Sequence, residues 1–193
     1  MARPREFDPE AALEAALELF WERGYEGTSM ADLVEHLGIG RASLYAAFGS
    51  KHDLYLEALD RYLRTRDPSP VEVLSQPGPA LPAVRWLVER HAEEAACDER
   101  RRGCMVVNAA VERLPFDRKV ARRVEGAWDE IEIALTSALI RAQAQGELSR
   151  DKDPRALARF LLVVIQGLRV VGKGHADPDR LRDAAREALT VLD

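Results

Sequence analysis

The sequence predicts an all-α protein, with a small helix-turn-helix domain followed by a larger helical domain. Three observations carry this. Every segment between breakers has helical period, and none shows sustained strand alternation. The breakers fall where helix caps belong, with Asp8-Pro9, Ser29 and Ser50 opening helices and Gly24, Gly38 and Gly146 closing them. Residues 28–51 set two short helices around a glycine turn. Within that stretch no Asp or Glu occurs from His36 through His52, in a chain that is 32% charged.

Asp8 and Pro9 supply the N-cap and first position of the first helix, whose inner face is Ala12, Leu13, Ala16, Leu17 and Phe20. Ser29, with Asp32 three residues on, forms an acidic variant of the capping box and starts the second helix. Leu33, Val34 and Leu37 give that helix one apolar face. Gly38-Ile39-Gly40 breaks it, because glycine supplies the positive φ of a sharp stop. The third helix, 41–48, turns Leu44 and Phe48 inward, and Gly49 ends it. Ser50 opens a fourth helix reaching about residue 65. The segment 67–79 carries four of the chain's ten prolines and reads as a loose linker. Beyond it, helices are predicted over about 79–97, 104–113, 117–145, 154–171 and 178–192, nine in all. The expected domains are residues 1–50 for the helix-turn-helix, 51–66 as a connecting helix, and 67–193 as the larger helical domain.

Two helices joined by a three-residue turn are what a helix-turn-helix requires, the second being the reader. Small side chains at Ala42, Ser43, Ala46 and Ala47 let that helix lie deep in a major groove about 12 Å wide. Arg41 can donate two hydrogen bonds to a guanine edge or one to a phosphate, and Ser43 can reach a base or a backbone oxygen. Tyr45 and Lys51 read as phosphate contacts, which set register rather than sequence. Thr28 and Ser29 offer hydroxyls and N–H groups at a helix start, another phosphate site. Gly40 and Ser50 complete the expected DNA-facing set. Arg3 and Arg5 read either as a basic arm reaching a minor groove or as a solvated terminus. The competing reading of the whole stretch is a plain helical hairpin with a solvated face.

Residues 7–62 resemble the DNA-binding domain of the tetracycline-repressor (TetR/AcrR) family. The resemblance is carried by Phe20…Gly24-Tyr25, Thr28-Ser29, Leu33…Gly38-Ile39, Ser43-Leu44-Tyr45, Phe48 and Ser50-Lys51…Leu54. Ala47 stands where many members have a histidine, which removes one phosphate contact. Beyond residue 66 the likeness is mostly helical pattern plus the motif Gly103-Cys104-Met105-Val106-Val107-Asn108. The resemblance implies a one-component regulator that binds double-stranded operator DNA as a homodimer, represses, and is released by a small-molecule or thiol-reactive effector. It implies dimerisation through the last two helices as a four-helix bundle, with Phe160, Val164, Gly167, Leu168, Val171, Leu181, Ala185 and Leu189 at the interface. It also implies an effector cavity, for which the candidates are Trp86, His91, Cys104, Met105, Asn108, Trp128, Ile131, Leu135 and Phe160. Cys104 follows Arg100-Arg101-Arg102-Gly103 at a predicted helix start, where cations and the helix dipole favour thiolate. It reads either as a sensor thiol or as a small buried hydrophobe.

Composition narrows the rest. Net charge is −5, and the first 66 residues hold 8 Lys+Arg against 12 Asp+Glu, so DNA binding depends on local placement rather than bulk charge. The longest apolar run, 160–165, is far too short to span a bilayer, and the polar N-terminus has no signal-peptide pattern. A cytoplasmic protein is expected. The two cysteines and the histidines at 36, 52, 91 and 175 have no metal-ligand or disulfide spacing, so neither metal nor cofactor is expected. No nucleotide loop, zinc-protease motif or nucleophile elbow is present, which argues against an enzyme. A helical scaffold protein would account for a dimer face but not for the acid-free reader segment.

Overall fold

A computed structural model describes residues 7–65, 67–174 and 177–193. Among these residues there are ten α-helices, a C-terminal 3-10 turn and no strand. They are α1 (Pro9–Arg23), α2 (Met30–Leu37), α3 (Arg41–Phe48), α4 (Lys51–Arg64), α5 (Pro70–Ser75), α6 (Ala80–Ala96), α7 (Met105–Arg113), α8 (Arg118–Gln145), α9 (Pro154–Gly172) and α10 (Pro178–Leu189). The additional helix is α5, inside the segment expected to be a loose linker. Ser69 and Glu72 close a reciprocal capping box there, Pro70 occupies the first turn, and Leu74 is buried. Those prolines start a helix as well as interrupt one.

The chain forms two compact units. Among the described residues, the first draws on the spans 1–66 and 108–124. Its core is Leu13, Ala16, Leu17 and Phe20 of α1, Leu33 of α2, Leu44 and Phe48 of α3, and Leu54, Tyr55, Ala58 and Leu59 of α4, all buried. Full burial of each large side chain stabilises by about 1.5–3 kcal/mol relative to exposure. The rings of Phe20 and Tyr55 meet edge to face at 5.1 Å, and those of Trp21 and Tyr62 at 4.9 Å. Arg61 of α4 donates to Glu10 and Glu14 of α1, each at 2.5 Å, so two acids of the first helix are paired inside the unit.

The second unit comprises residues 67–107 and 125–193. Here α6 packs against α9 and α10. The core includes Leu87 and Val88 of α6, Leu135 and Leu139 of α8, Leu161, Ile165 and Leu168 of α9, and Leu181, Ala185 and Leu189 of α10. A Cβ on Gly172 would lie 2.8 Å from that of Ala95, so α9 crosses α6 at a distance only glycine permits. This packing corrects four expected interface residues. Leu168, Leu181, Ala185 and Leu189 are at most 4% exposed, turned inward by the helical phase of their own helices. What α9 leaves outside is the stripe Phe160, Val163, Gly167, Val170 and Val171, with Val164 half-buried beside it, so that the other four expected residues stay on the outer side and Val163 and Val170 join them.

Candidate nucleic-acid interface

The local sequence accounts for the turn between α2 and α3. Ser29 Oγ accepts the Asp32 N–H at 3.1 Å while Asp32 accepts the Ser29 N–H at 2.7 Å, closing the capping box. These hydrogen bonds hold the Asp32 carboxyl below its ordinary range. Gly38 ends α2 with φ 65° and ψ 22°, a left-handed conformation that glycine adopts without steric penalty. Gly40 is the N-cap of α3 but carries no side chain to cap it.

On α3 the expected reader face is exposed in the main. Gly40, Arg41, Ala42, Tyr45 and Ala46 all face outward, while Leu44 and Phe48 anchor the helix in the core. The side chain of Arg41 lies along that of Tyr45 one turn on, with its guanidinium 5.6 Å from the ring centre and one N–H directed at the phenol oxygen at 3.4 Å. The pair presents a planar cation and a hydroxyl at adjacent points of one surface. Ser43 is half-buried, nearer the base of the helix than its edge. Ser50 accepts the Asp53 N–H at 3.0 Å and donates to the Asp53 carboxylate at 2.6 Å, so its hydroxyl is engaged in capping α4. Arg3 and Arg5 lie outside the described residues.

Thr28 requires a correction. It is completely buried, and its hydroxyl donates to the Gly24 carbonyl at 2.7 Å, so it is no phosphate ligand. It closes the turn between α1 and α2 instead. Ser29 is exposed, but its own N–H is engaged by Asp32. The amides of Met30 and Ala31, in the first turn of α2, are the better candidates for an anion there.

The sequence reading missed a cluster that braces the turn after α1 and the start of α4. Glu112, at the end of α7, accepts the N–H of Tyr25 at 2.9 Å and that of Glu26 at 2.7 Å. Gly24 makes room for it, since a Cβ at that position would stand 3.0 Å from a Glu112 carboxylate oxygen. Arg113 pairs with Glu26 and with Asp117, and its guanidinium sits 4.5 Å from the centre of the Tyr25 ring. The Lys51 ammonium lies 4.1 Å from the same ring centre. His52 Nε2 meets the Asp117 carboxylate at 2.6 Å. Burial alone would raise the Asp117 pKa, but the Val120 amide and the His52 ring outweigh it and keep it low. Partners 65 to 87 positions apart leave no local signal in the sequence.

The proposed effector residues do not share one environment. Trp86 is 44% exposed, with Arg90 stacked at 5.2 Å from its ring, and Phe160 is 42% exposed, so neither lines an enclosed cavity of the protomer. Leu135 and Ile131 belong to the core of the second unit, and Met105 and Cys104 are also buried. His91 is buried between Arg169, about 3.4 Å away, and Glu94, and burial pushes its pKa down. Asn108 falls in the first unit. Trp128 is half-buried, with an indole N–H that is buried and has no acceptor. An open groove of about 630 Å³ between α5 and α8 is lined instead by Val71, Leu74, Ile133, Ala134, Asp129 and Arg141, among others. Of the two thiols, Cys97 is exposed, and the Glu93 carboxylate beside it raises its pKa. Cys104 is buried.

The model for bacterial regulatory proteins of the tetR family matches residues 12–58, and that for the tetracyclin repressor-like C-terminal domain matches residues 80–188. The uncharacterized HTH-type transcriptional regulator YezE of Bacillus subtilis (strain 168) is 41% identical over 100% of both chains. The HTH-type transcriptional repressor ComR of Escherichia coli (strain K12) is 32% identical over 98% of this chain and 90% of its own. Among solved structures, a cysteine mutant of the TetR family regulator CifR, complexed with 26-bp double-strand operator DNA, superposes with a TM-score of 0.87. That protein is 36% identical, with 100% of both chains covered. No helix among the described residues is long and apolar enough to cross a membrane. With an exposed, acid-free reader helix and a family match over both parts of the chain, this protein belongs to the TetR family of bacterial regulatory proteins, DNA-binding transcription regulators rather than enzymes.

Proposed function

We propose that this regulator is a cytoplasmic homodimeric repressor whose α3 helices read successive major grooves of an operator, and which an effector releases. The observation that carries the DNA reading is the exposed Arg41–Tyr45 pair on a helix face free of carboxylates, in a chain of negative net charge. Arg41 is assigned to a base edge. Tyr45, Lys51 and the first-turn amides of α2 are assigned to phosphates. The operator-bound CifR structure supports the same use of the fold.

The dimer is assigned to the outer stripe of α9. Phe160, Val163, Val170 and Val171 are between 42% and 70% exposed on one helix face, and a Cβ on Gly167 would meet nothing within 4 Å in the protomer. Apolar side chains around an open glycine suit close packing by a second copy of the same helix about a two-fold axis. Such a dimer would hold two reader helices one DNA turn, or a multiple, apart.

Effector release is supported by one feature of α8. The buried Trp128 indole N–H without an acceptor is the kind of group a bound ligand's oxygen would satisfy. Ligand binding changes operator affinity only through differential affinity for two conformations. The test is selection of bound duplexes from a random DNA library, followed by binding of Arg41→Ala and Tyr45→Ala proteins to the selected site. Loss of binding with helicity and dimerisation intact is expected. Undiminished binding by both variants would overturn the assignment of α3.

A further inference from the structure

We propose that Arg113 is a positioning residue for DNA binding, acting through the ring of Tyr25 to fix the ammonium of Lys51. This rests on the reading above of Lys51 as a phosphate contact. Lys51 is the first residue of α4, and its four-carbon stem is the flexible part of the interface. Its Nζ nevertheless lies 4.1 Å from the centre of the Tyr25 ring, a cation–π distance. The ring is packed among other aromatic side chains. It packs edge to face on Tyr55 at 5.0 Å and on His52 at 6.2 Å, and alongside Phe20 at 6.4 Å. The Tyr25 backbone N–H is held by Glu112.

Arg113 closes this arrangement. Its guanidinium rests 4.5 Å from the Tyr25 ring centre, and its N–H groups pair with Glu26 on the adjoining turn and, at 3.5 Å, with Asp117. Asp117 in turn meets His52, the neighbour of Lys51. A planar guanidinium can stack and pair at the same time, which an ammonium does less well. The cation–π contact occupies one side of the Lys51 ammonium and leaves donors for a phosphate oxygen. Holding the ammonium in place before DNA arrives removes part of the ordering cost of the complex. Arg113 itself makes no assigned DNA contact, so its effect on affinity runs through Lys51.

The experiment is a double-mutant cycle on the full-length protein, using a duplex that the wild type selects from a random library, with fluorescence anisotropy from 50 to 300 mM KCl. Lys51→Ala should flatten the slope of log affinity against log salt by about two for a dimer, since each half-site then neutralises one phosphate fewer. Tyr25→Leu should weaken binding about tenfold, roughly threefold at each half-site, as expected for removal of an exposed cation–π interaction, and Arg113→Gln should weaken it in the same direction but less, since the ring that holds Lys51 is loosened rather than removed. In the Lys51→Ala background the same substitutions should cost less than twofold. Folding is followed by far-ultraviolet circular dichroism and melting, and Arg113→Lys replaces the glutamine variant if that variant does not fold. Wild-type affinity in both Arg113→Gln and Tyr25→Leu, or an equal loss with and without Lys51, would overturn the proposal. Should Lys51→Ala itself bind with the wild-type salt slope, the phosphate assignment of Lys51 fails instead, which is a separable result.

Discussion

Replacing Val163 by aspartate should convert the protein to monomers without unfolding it. Val163 is 70% exposed, so its side chain contributes little to the protomer core. In the proposed dimer it lies in the stripe with Phe160, Val170 and Val171, which are 42%, 51% and 44% exposed. Full burial of a Val or Phe side chain stabilises by about 1.5–3 kcal/mol, so these residues each have roughly 1 kcal/mol left to gain. Four residues on two protomers then offer about 8 kcal/mol, before the cost of association is subtracted. Val163→Asp removes about 2 kcal/mol of this and adds two carboxylates to desolvate, at several kcal/mol per ion. A loss of about 6 kcal/mol or more corresponds to at least four orders of magnitude in Kd. Sedimentation velocity at micromolar concentration should show monomers, with far-ultraviolet circular dichroism unchanged. Gly167→Leu, which blocks close approach at an open position, should act in the same direction. Wild-type dimerisation by both variants would refute the assignment of the interface to α9.

Three further outcomes follow from individual groups. His91 is buried and its pKa is depressed from 6.5, so the unfolded chain binds a proton that the folded chain refuses. Stability should therefore be intact above pH 6.5 and fall as pH drops below it, by at most about 1.4 kcal/mol per pH unit from this group. Glu94, Arg90 and Arg169 face the ring, and urea titrations should find a flatter slope between pH 7 and 5 in His91→Gln. Gly24 sits at φ 78° and ψ 175°, a region essentially confined to glycine, and its Cβ position is crowded by Glu112. Gly24→Ala should cost roughly 2 kcal/mol or more, seen as a fall in Tm of about 4–8 °C. Gly40 has φ −63° and open space around its Cβ position, but it is the N-cap of α3, where alanine is poorer than glycine, so Gly40→Ala should leave the stability of the free protein within about 0.5 kcal/mol of the wild type. The same change should weaken operator binding, measured by anisotropy, because the added methyl lies at the DNA-facing end of α3.

The elements most legible from sequence are those whose causes lie within a few residues. Caps at Asp8, Ser29 and Ser50, and the left-handed stop at Gly38, are local hydrogen-bond and backbone preferences, and their helices begin or end where these residues stand. The exposed, carboxylate-free face of α3 is similarly local, since residues 41–48 determine both its phase and its charge. The short helix α5 was hidden because prolines at 67–79 suggested a loop, although the Ser69–Glu72 capping box was present in the same segment. Tertiary packing decided the rest. Leu168, Leu181 and Leu189 have the same periodicity whether they face a partner or the protomer, and only the packing of α9 and α10 against α6 assigns them to the core. Thr28 has a hydroxyl in either setting, and burial against the Gly24 carbonyl removes it from the DNA-facing set. Glu112, Arg113 and Asp117 look like ordinary surface charges in a chain rich in them. Their meaning comes from folding residues 108–124 onto the turn after α1 and the start of α4, a juxtaposition that no local pattern encodes.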